Sequence, residues 1–370
     1  MKTFKFRLFP NKNHRKKLNA TLEECRWLYN HILQTRRDAY EYDGSTLGLY
    51  DINPMIPKWK EDRPSLKRVH SQTLQNVSER VQVSFQNFWR RCKSGEKPGY
   101  PRFKSEDRYD SFTFMQDRRG FKFLDNKTLK IHNVGNIRIK KHRPIDGKIK
   151  RLTVHRDGAG CWFACFSVEA DSKPLPKNDD AIGIDVGLES FATLSDGEII
   201  DNPRFLRRDQ KRLKKIQRQL SKSPRSSERR AKKKRALGKV WRRVSNRRKD
   251  FAHKFSRRLV NRYGIICVED LKIQRMMSGN FRSMNRSIGD AAWSQFLQFT
   301  SYKAEDAGRM FIEVNPRNTS QICSECGEMV KKELCDRIHH CPICRFETSR
   351  DHNAALNILR RGLSSLAKVV

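Results

Sequence analysis

The sequence has no run approaching the ~18 consecutive apolar residues that a membrane-spanning helix requires, and no charged-then-apolar leader follows Met1. It is also poor in negative charge. Only 41 Asp plus Glu stand against 79 Lys plus Arg, a formal net charge of +38 over 370 residues. The first shortage excludes a helical membrane protein and leads us to expect a soluble, cytoplasmic chain. The second means that the chain repels itself unless a polyanion neutralises it, and a nucleic-acid backbone is the commonest cellular polyanion. An anionic membrane surface is the competing polyanion, but the chain offers no apolar segment to enter it, so no membrane partner is expected. The length allows two or three modules, each with its own core.

In a reducing compartment the ten cysteines are not expected to pair as disulfides. Four of them, Cys323, Cys326, Cys341 and Cys344, have metal-site spacing. The other six, Cys25, Cys92, Cys161, Cys165, Cys267 and Cys335, sit mostly among apolar neighbours and are read as packed thiols.

Hydrophobic periodicity divides the chain. Lys2 to Phe9 alternates polar and apolar side chains as a half-buried strand does, and Pro10-Asn11 stops it. Helical spacing follows from His14 to about Tyr42 and again from Ser71 to Cys92, around a Pro-rich loop at Pro54, Pro57 and Pro64. Between Pro98 and about Ala170 the apolar runs are short and β-like (around Phe112, Phe121, Ile137, Leu152 and Phe163), at the spacing of a sandwich or barrel that the first strand would complete. The helical stretch would then be an insertion. Lys173 to Lys177, with two prolines, reads as a linker. From Ala181 a buried strand ends in Asp185 and a hairpin follows it. Residues 204–262 carry roughly two dozen Lys and Arg against only Asp209, Glu228 and Asp250, with Ser223-Pro224 marking the bend between two helices. A one-signed excess of this kind suits a phosphate-tracking surface better than a merely solvated one. A strand ending in Glu269, a helix near 291–308, a strand at 310–314, the cysteine segment and a last helix from about Asp351 complete the chain.

Two constellations carry chemistry. Cys323-Ser-Glu-Cys326 and Cys341-Pro-Ile-Cys344 are paired C-x2-C knuckles, as expected of a four-cysteine zinc site with no open position and hence a structural role. Cys335, His339 and His340, inside the loop, are the alternative ligands. Gly327 after the first knuckle suits a positive φ, whereas Arg345 after the second would be strained there. The other constellation is acidic: Asp185 and Glu269 end apolar strands and Asp351 opens the last helix. Carboxylates so placed can converge on two hard divalent cations that activate a water and stabilise the leaving oxygen of a phosphodiester. Each acid alone has a structural explanation: Asp185 as a turn cap, Glu269 in an ion pair, Asp351 as an N-cap. Strand alternation turns Asp270 to the opposite face, outside the site.

Gly183-Ile184-Asp185-Val186-Gly187, Val268-Glu269-Asp270-Leu271, the segment from Pro316 to Gly327, and Arg350-Asp351-His352-Asn353-Ala354-Ala355 resemble, in order and spacing, the motifs of TnpB proteins, which small bacterial and archaeal insertion sequences encode. The motifs carry the resemblance over residues 181–370; before that it rests on layout. It implies an α/β fold with β-barrel and helical modules, built around a RuvC/RNase H-like nuclease core with an inserted zinc ribbon. The implied layout is the first strand of a wedge-like barrel (1–12), a helical recognition module (13–97), the rest of the barrel (98–175), the core (181–316) with its basic insertion (204–262), the ribbon (317–348) and the final core helix (349–370). It further implies an RNA-guided DNA endonuclease with Asp185, Glu269 and Asp351 as metal-binding catalytic acids for Mg2+ or Mn2+. The implied partners are a guide RNA from the transposon end and double-stranded target DNA beside a short adjacent motif, in a prokaryotic, nucleoid-associated setting. Base pairing would read the target, so the protein mainly needs basic channels for the heteroduplex backbone. The alternatives are a nuclease-silent RNA-guided repressor, disfavoured because all three acids are retained, a transposase using the same acids, and a zinc-ribbon RNA-binding protein with no enzymatic role, which leaves Asp185 and Glu269 at their strand ends unexplained. Arg345, where the family usually has glycine, is the one departure in these motifs.

Overall fold

A computed structural model describes residues 1–367 except 118, 225–226, 279–280 and 334. The chain forms two compact units, Met1–Asp171 and Ser172–Val370.

In the first unit, β1 (Lys2–Phe9) leads into α1 (Lys12–Asp43), α2 (Leu49–Ile52), α3 (Met55–Asp62) and α4 (Ser71–Lys93). Six strands follow: β2 (Ser111–Phe114), β3 (Phe121–Phe123), β4 (Thr128–Ile131), β5 (Gly135–Lys140), β6 (Lys148–Arg156) and β7 (Trp162–Glu169). The Pro-rich stretch is more helical than expected. Pro54 is the N-cap of α3, Pro57 lies in its first turn, and Pro64 opens a 3-10 turn. At those positions a missing N–H costs no helical hydrogen bond. The strands form one antiparallel sheet of order β2-β6-β7-β1-β5-β4-β3, so β1 is its centre and the helices are an excursion between β1 and β2. Phe114 of one edge strand and Phe121 of the other come within 6.4 Å, ring centre to ring centre. The sheet is therefore rolled up around Phe6, Phe112, Phe121 and Phe166 into a near-barrel whose edges meet through aromatic side chains. Leu28, Ile32, Leu74 and Val81 of α1 and α4 are buried in the same core. Arg80 joins α4 to β2, donating to the Ser111 carbonyl and to Thr113 Oγ1.

The second unit is built on β8 (Ala181–Val186), β9 (Ser190–Leu194), β10 (Ile199–Asp201), β11 (Ile265–Glu269) and β12 (Met310–Val314). Their order is β10-β9-β8-β11-β12. The first three form an antiparallel meander; β11 runs parallel to β8, and β12 parallel to β11. The chain between β10 and β11 holds α5 (Phe205–Ser221) and α6 (Glu228–Arg262); α7 (Ile273–Ser278), α8 (Arg282–Ala291) and α9 (Trp293–Asp306) precede β12. A small hairpin, β13 (Ile338–His340) and β14 (Glu347–Ser349), leads into α10 (Arg350–Leu366).

Strand alternation sorts this sheet into two faces. Ile182, Ile184, Ile266 and Val268 pack with Phe255 of α6 and Phe296 of α9. Ile265, Cys267 and Val314 pack with Ile358 of α10. Helix α10 lies almost on the backbone of β8 and β11. A Cβ on Gly183 would stand 2.1 Å from the Ala355 carbonyl oxygen, and one on Gly362 would stand 2.1 Å from Cys267 Sγ.

The basic hairpin has few apolar anchors. Leu213 is the one buried apolar residue of α5, contributing roughly 1.5–3 kcal/mol. Acidic contacts supplement it. Asp290 of α8 accepts from the Leu206 amide at the start of α5 and from the Arg248 guanidinium at 2.8 Å, while Asp209 faces Arg247 at 3.6 Å. Of the six cysteines read as packed thiols, Cys25 and Cys267 are buried and Cys161 and Cys165 half-buried. Cys92 and Cys335 are exposed, a correction to the expectation: Cys92 lies in the last turn of α4 and Cys335 in a loop beside Glu333 and Asp336, neither of which supplies an apolar cover.

Candidate functional site

Strand parity sets two of the three acids side by side. Asp185 shares the strand face of Gly183, and Glu269 that of Cys267; both residues belong to the face covered by α10. Val268 is in register with Ile184, so Glu269 and Asp185, each one residue further on, stand level on adjacent parallel strands. Asp351 lies in the first turn of α10, where a carboxylate also favours the helix dipole. The N-cap is Ser349, whose hydroxyl accepts from the His352 amide, so Asp351 is free of capping.

Electrostatics record the convergence. Burial pushes the Asp185 carboxyl well above the usual carboxylate range, and the nearby Glu269 and Asp351 charges push it further; Arg350 opposes them. Glu269 is raised by burial, offset in part by the Thr319 hydroxyl, which donates to Glu269 Oε1 at 2.5 Å, and by Arg361. Asp351 has its counter-charge alongside, Arg350 Nε at 3.3 Å. Asp270 turns away to pair with Lys272 at 2.7 Å. The acids do not collapse into a single-ion cluster. Among the described residues, the one set of three or more His, Cys, Asp or Glu donors whose ligand atoms all lie within 4.8 Å of one another is Cys323, Cys326, Cys341 and Cys344.

That cysteine set is built by two matching turns. The Cys323 amide donates to the Glu328 carbonyl and the Gly327 amide to the Cys323 carbonyl; the Cys341 and Arg345 amides repeat the pattern with Phe346 and Cys341. Gly327 has φ +80° and Arg345 +61°, so the second knuckle uses a left-handed conformation without glycine, the strain its sequence foretold. Sulfur pairs Cys323–Cys344 and Cys326–Cys341 are 3.6 and 3.5 Å apart. Tetrahedral zinc with Zn–S of ~2.3 Å requires sulfurs roughly 3.8 Å apart, so the donor set fits the ion. The amides of Cys344 and Ile343 lower the Cys341 thiol, while the neighbouring sulfurs raise Cys326 and Cys344, so these thiols titrate as one coupled set. Cys335 is exposed and outside the cluster; His339 is buried beside Lys332, and His340 pairs with Glu347.

Three positioning residues carried no assigned role in the sequence. Thr319 orients Glu269. Asn353 donates to the Ile322 carbonyl at 2.7 Å and accepts from the Ser324 amide at 3.0 Å; Asn357 donates to the Thr319 and Ile322 carbonyls. These two buried amides of α10 tie the first knuckle to the helix that carries Asp351. Their signal was polar residues at positions i and i+4 on an otherwise apolar helix face.

The raised carboxyls fix the sign of a pH effect. Asp185 and Glu269 hold their protons to higher pH in the folded chain than in the unfolded one, where carboxyls titrate near ~4. Stability is therefore lost as pH rises from that range through the folded values. We predict that metal-free Asp185→Asn melts higher than the parent at neutral pH and loses less melting temperature between mildly acidic and neutral pH. Parallel melting curves across that range would show that the acids are not coupled.

Three family models match segments of the chain. One described as "Probable transposase" matches residues 164–279, which include Asp185 and Glu269, and one described as "Cas12f1-like, TNB domain" matches residues 293–358, which include the four cysteines and Asp351. A third, described as "Helix-turn-helix domain", matches residues 1–45, which here form β1 and the single helix α1. A Streptomyces pristinaespiralis protein named "Putative RNA-guided DNA endonuclease" is 31% identical, covering 99% of this chain and 90% of its own. An Escherichia coli K12 protein named "Putative RNA-guided DNA endonuclease InsQ" is 28% identical over 99% of this chain and 94% of its own. A solved structure titled as the mini-RNA-guided endonuclease CRISPR-Cas_phi3 shares the fold at TM-score 0.51 and 10% identity, covering 98% of this chain and 92% of that one. With a relative of this identity matched nearly end to end, the chain belongs to the TnpB family of RNA-guided DNA endonucleases.

Proposed function

We propose that this chain cuts DNA at sites chosen by an RNA guide, as the nuclease of a transposable element, with Asp185, Glu269 and Asp351 as its catalytic, metal-binding acids. The observation that carries the reading is the convergence of these three carboxylates on one face of the sheet, two of them with raised pKa and set level on adjacent strands. A half-buried acid cluster is costly by itself and suits hard divalent cations, Mg2+ or Mn2+, whose preferred ligands are oxygen. Bound there, such cations supply Lewis acidity to water and to the scissile phosphate. The chain's own contribution is placement. Parallel register holds Asp185 and Glu269 side by side, Thr319 fixes the Glu269 carboxylate, and Asn353 and Asn357 fix α10 and with it Asp351.

Guide RNA from the transposon end and double-stranded target DNA beside a short adjacent motif are the proposed partners. The basic hairpin suits phosphate binding: Lys211, Lys214, Lys215, Arg218 and Lys222 line one groove of α5. Salt-sensitive backbone contacts of this type leave sequence reading to base pairing. Among the described residues no helix is long and apolar enough to cross a membrane. The four cysteines are the proposed site of structural zinc, which would hold the ribbon on α10.

In the test, the chain is purified from cells carrying its flanking DNA, and its co-purified RNA is sequenced and used to choose a target. We expect one defined RNA, and target cleavage in Mg2+ that falls by at least about a thousandfold in Asp185→Ala, Glu269→Ala and Asp351→Ala while RNA retention persists. Cleavage by Asp351→Ala would remove it from the site, and cutting of element ends without RNA would favour a transposase. For the ribbon, we expect Cys341→Ser to lose one zinc per chain by elemental analysis and to melt lower than the parent. An unchanged metal content would refute the zinc assignment.

A further inference from the structure

A buried cation in the first unit has no role in the site described above. Arg36, on the inner face of α1, is only 5% exposed. Its guanidinium lies 4.1 Å from the Phe85 ring centre and 6.0 Å from that of Trp89. Among the described residues one hydrogen-bond acceptor reaches it, Gln82 Oε1 at 2.8 Å, and no carboxylate pairs with it. The acids of the neighbouring turns are engaged elsewhere: Glu41 with Arg37, Asp38 with Gln34, and Asp51 with the Gly48 amide. A guanidinium has five N–H donors in a planar fork, so most of this one is unspent. Burial lowers the Arg36 pKa, and Tyr100 and Asp51 offset this only in part.

Arg36 borders a cavity of about 240 Å³. Tyr40, Phe85, Phe88, Trp89 and Tyr100 wall it, with Tyr100 set edge-on to both Phe85 and Phe88 at about 5.6 and 5.5 Å. Tyr40 and Tyr100 are 65% and 45% exposed, so the mouth is aromatic too. Such a slot favours a flat π-system, and the cation at its wall favours ligands that present acceptors in the plane of the ring. A purine or pyrimidine edge does both, as in the paired contacts of arginine to base acceptors. The cavity is smaller than the ~300 Å³ at which drug-sized pockets begin, which suits one ring system rather than a whole nucleotide.

We propose that this cleft receives one unstacked nucleobase of a single-stranded nucleic acid, with Arg36 meeting the acceptor edge and Trp89 and Tyr100 flanking the ring. The proposal rests on the chain being a nucleic-acid-binding protein, and the test separates the two. Affinity of the full chain is measured for a short mixed-sequence single strand and for an abasic sugar–phosphate strand of equal length, each as RNA and as DNA, over a range of salt. We expect Arg36→Gln and Tyr100→Ala each to weaken binding of the base-bearing strand by roughly tenfold. The abasic strand should be unaffected, and the salt slope of the base-bearing strand unchanged. The sugar on which the loss appears identifies the source strand. Because Tyr100 is exposed, its variant keeps the test decisive should Arg36→Gln fail to fold. Equal losses on abasic and base-bearing strands, or a salt slope reduced by about one, would mean a phosphate contact and overturn the proposal. No loss on either strand would overturn it too and leave the cleft to a protein partner. Failure of the parent to bind any strand would instead defeat the nucleic-acid reading itself.

Discussion

Everything in the second unit depends on the close seating of α10 against the parallel pair β8 and β11. Gly183 and Gly362 leave no room for a Cβ at that seam, and the seam fixes the distance from the start of α10 to the ends of the two strands. Asp351 is thereby held over Asp185 and Glu269, on the one sheet face that helices α6 and α9 do not fill. The result is a gathering of three half-buried carboxyl groups in a chain whose net charge is +38. Positive side chains are abundant, yet among the described residues the cations acting on Asp185 and Glu269 are Arg350 and Arg361. Under the proposed function this withholding of counter-charge is the working device: a cluster satisfied by lysines would have no affinity left for a divalent cation.

The ribbon serves the same seam. Its first knuckle is fastened to α10 through Asn353 and Asn357, and Thr319, just before that knuckle, orients Glu269. The four-cysteine set, the proposed zinc site, is thus joined to two of the elements that carry the acids. The strained Arg345 turn is tolerated because the paired amide contacts of the knuckle specify its backbone.

Much of this was legible in the sequence, and for physical reasons. Strand ends at Asp185 and Glu269 showed as apolar runs closing on a carboxylate, and alternation alone turned Asp270 away. The cysteine spacing disclosed four donors, which the fold gathers. The central place of β1 was only half visible, since alternation gives a strand but not its neighbours. Strand β4 passed unnoticed because Leu129 and Ile131 lie among Lys127, Lys130 and His132 without the paired phenylalanines that marked the short β2 and β3. The prolines at 54, 57 and 64 misled because proline opens helices as readily as it breaks them. Thr319, Asn353 and Asn357 gain their roles from partners more than 25 residues away, and Arg36 is one arginine among very many until packing buries it against Phe85 and Trp89.

The central claim is that the three carboxylates are held together, largely uncompensated, to take up divalent cations. Its most direct test is the melting temperature of the metal-stripped chain on titration with Mg2+ at constant ionic strength. The predicted result is a saturable rise, by the linkage of ligand binding to folding, that disappears in Glu269→Gln. A parent that Mg2+ does not stabilise, or a variant stabilised just as much, would contradict it.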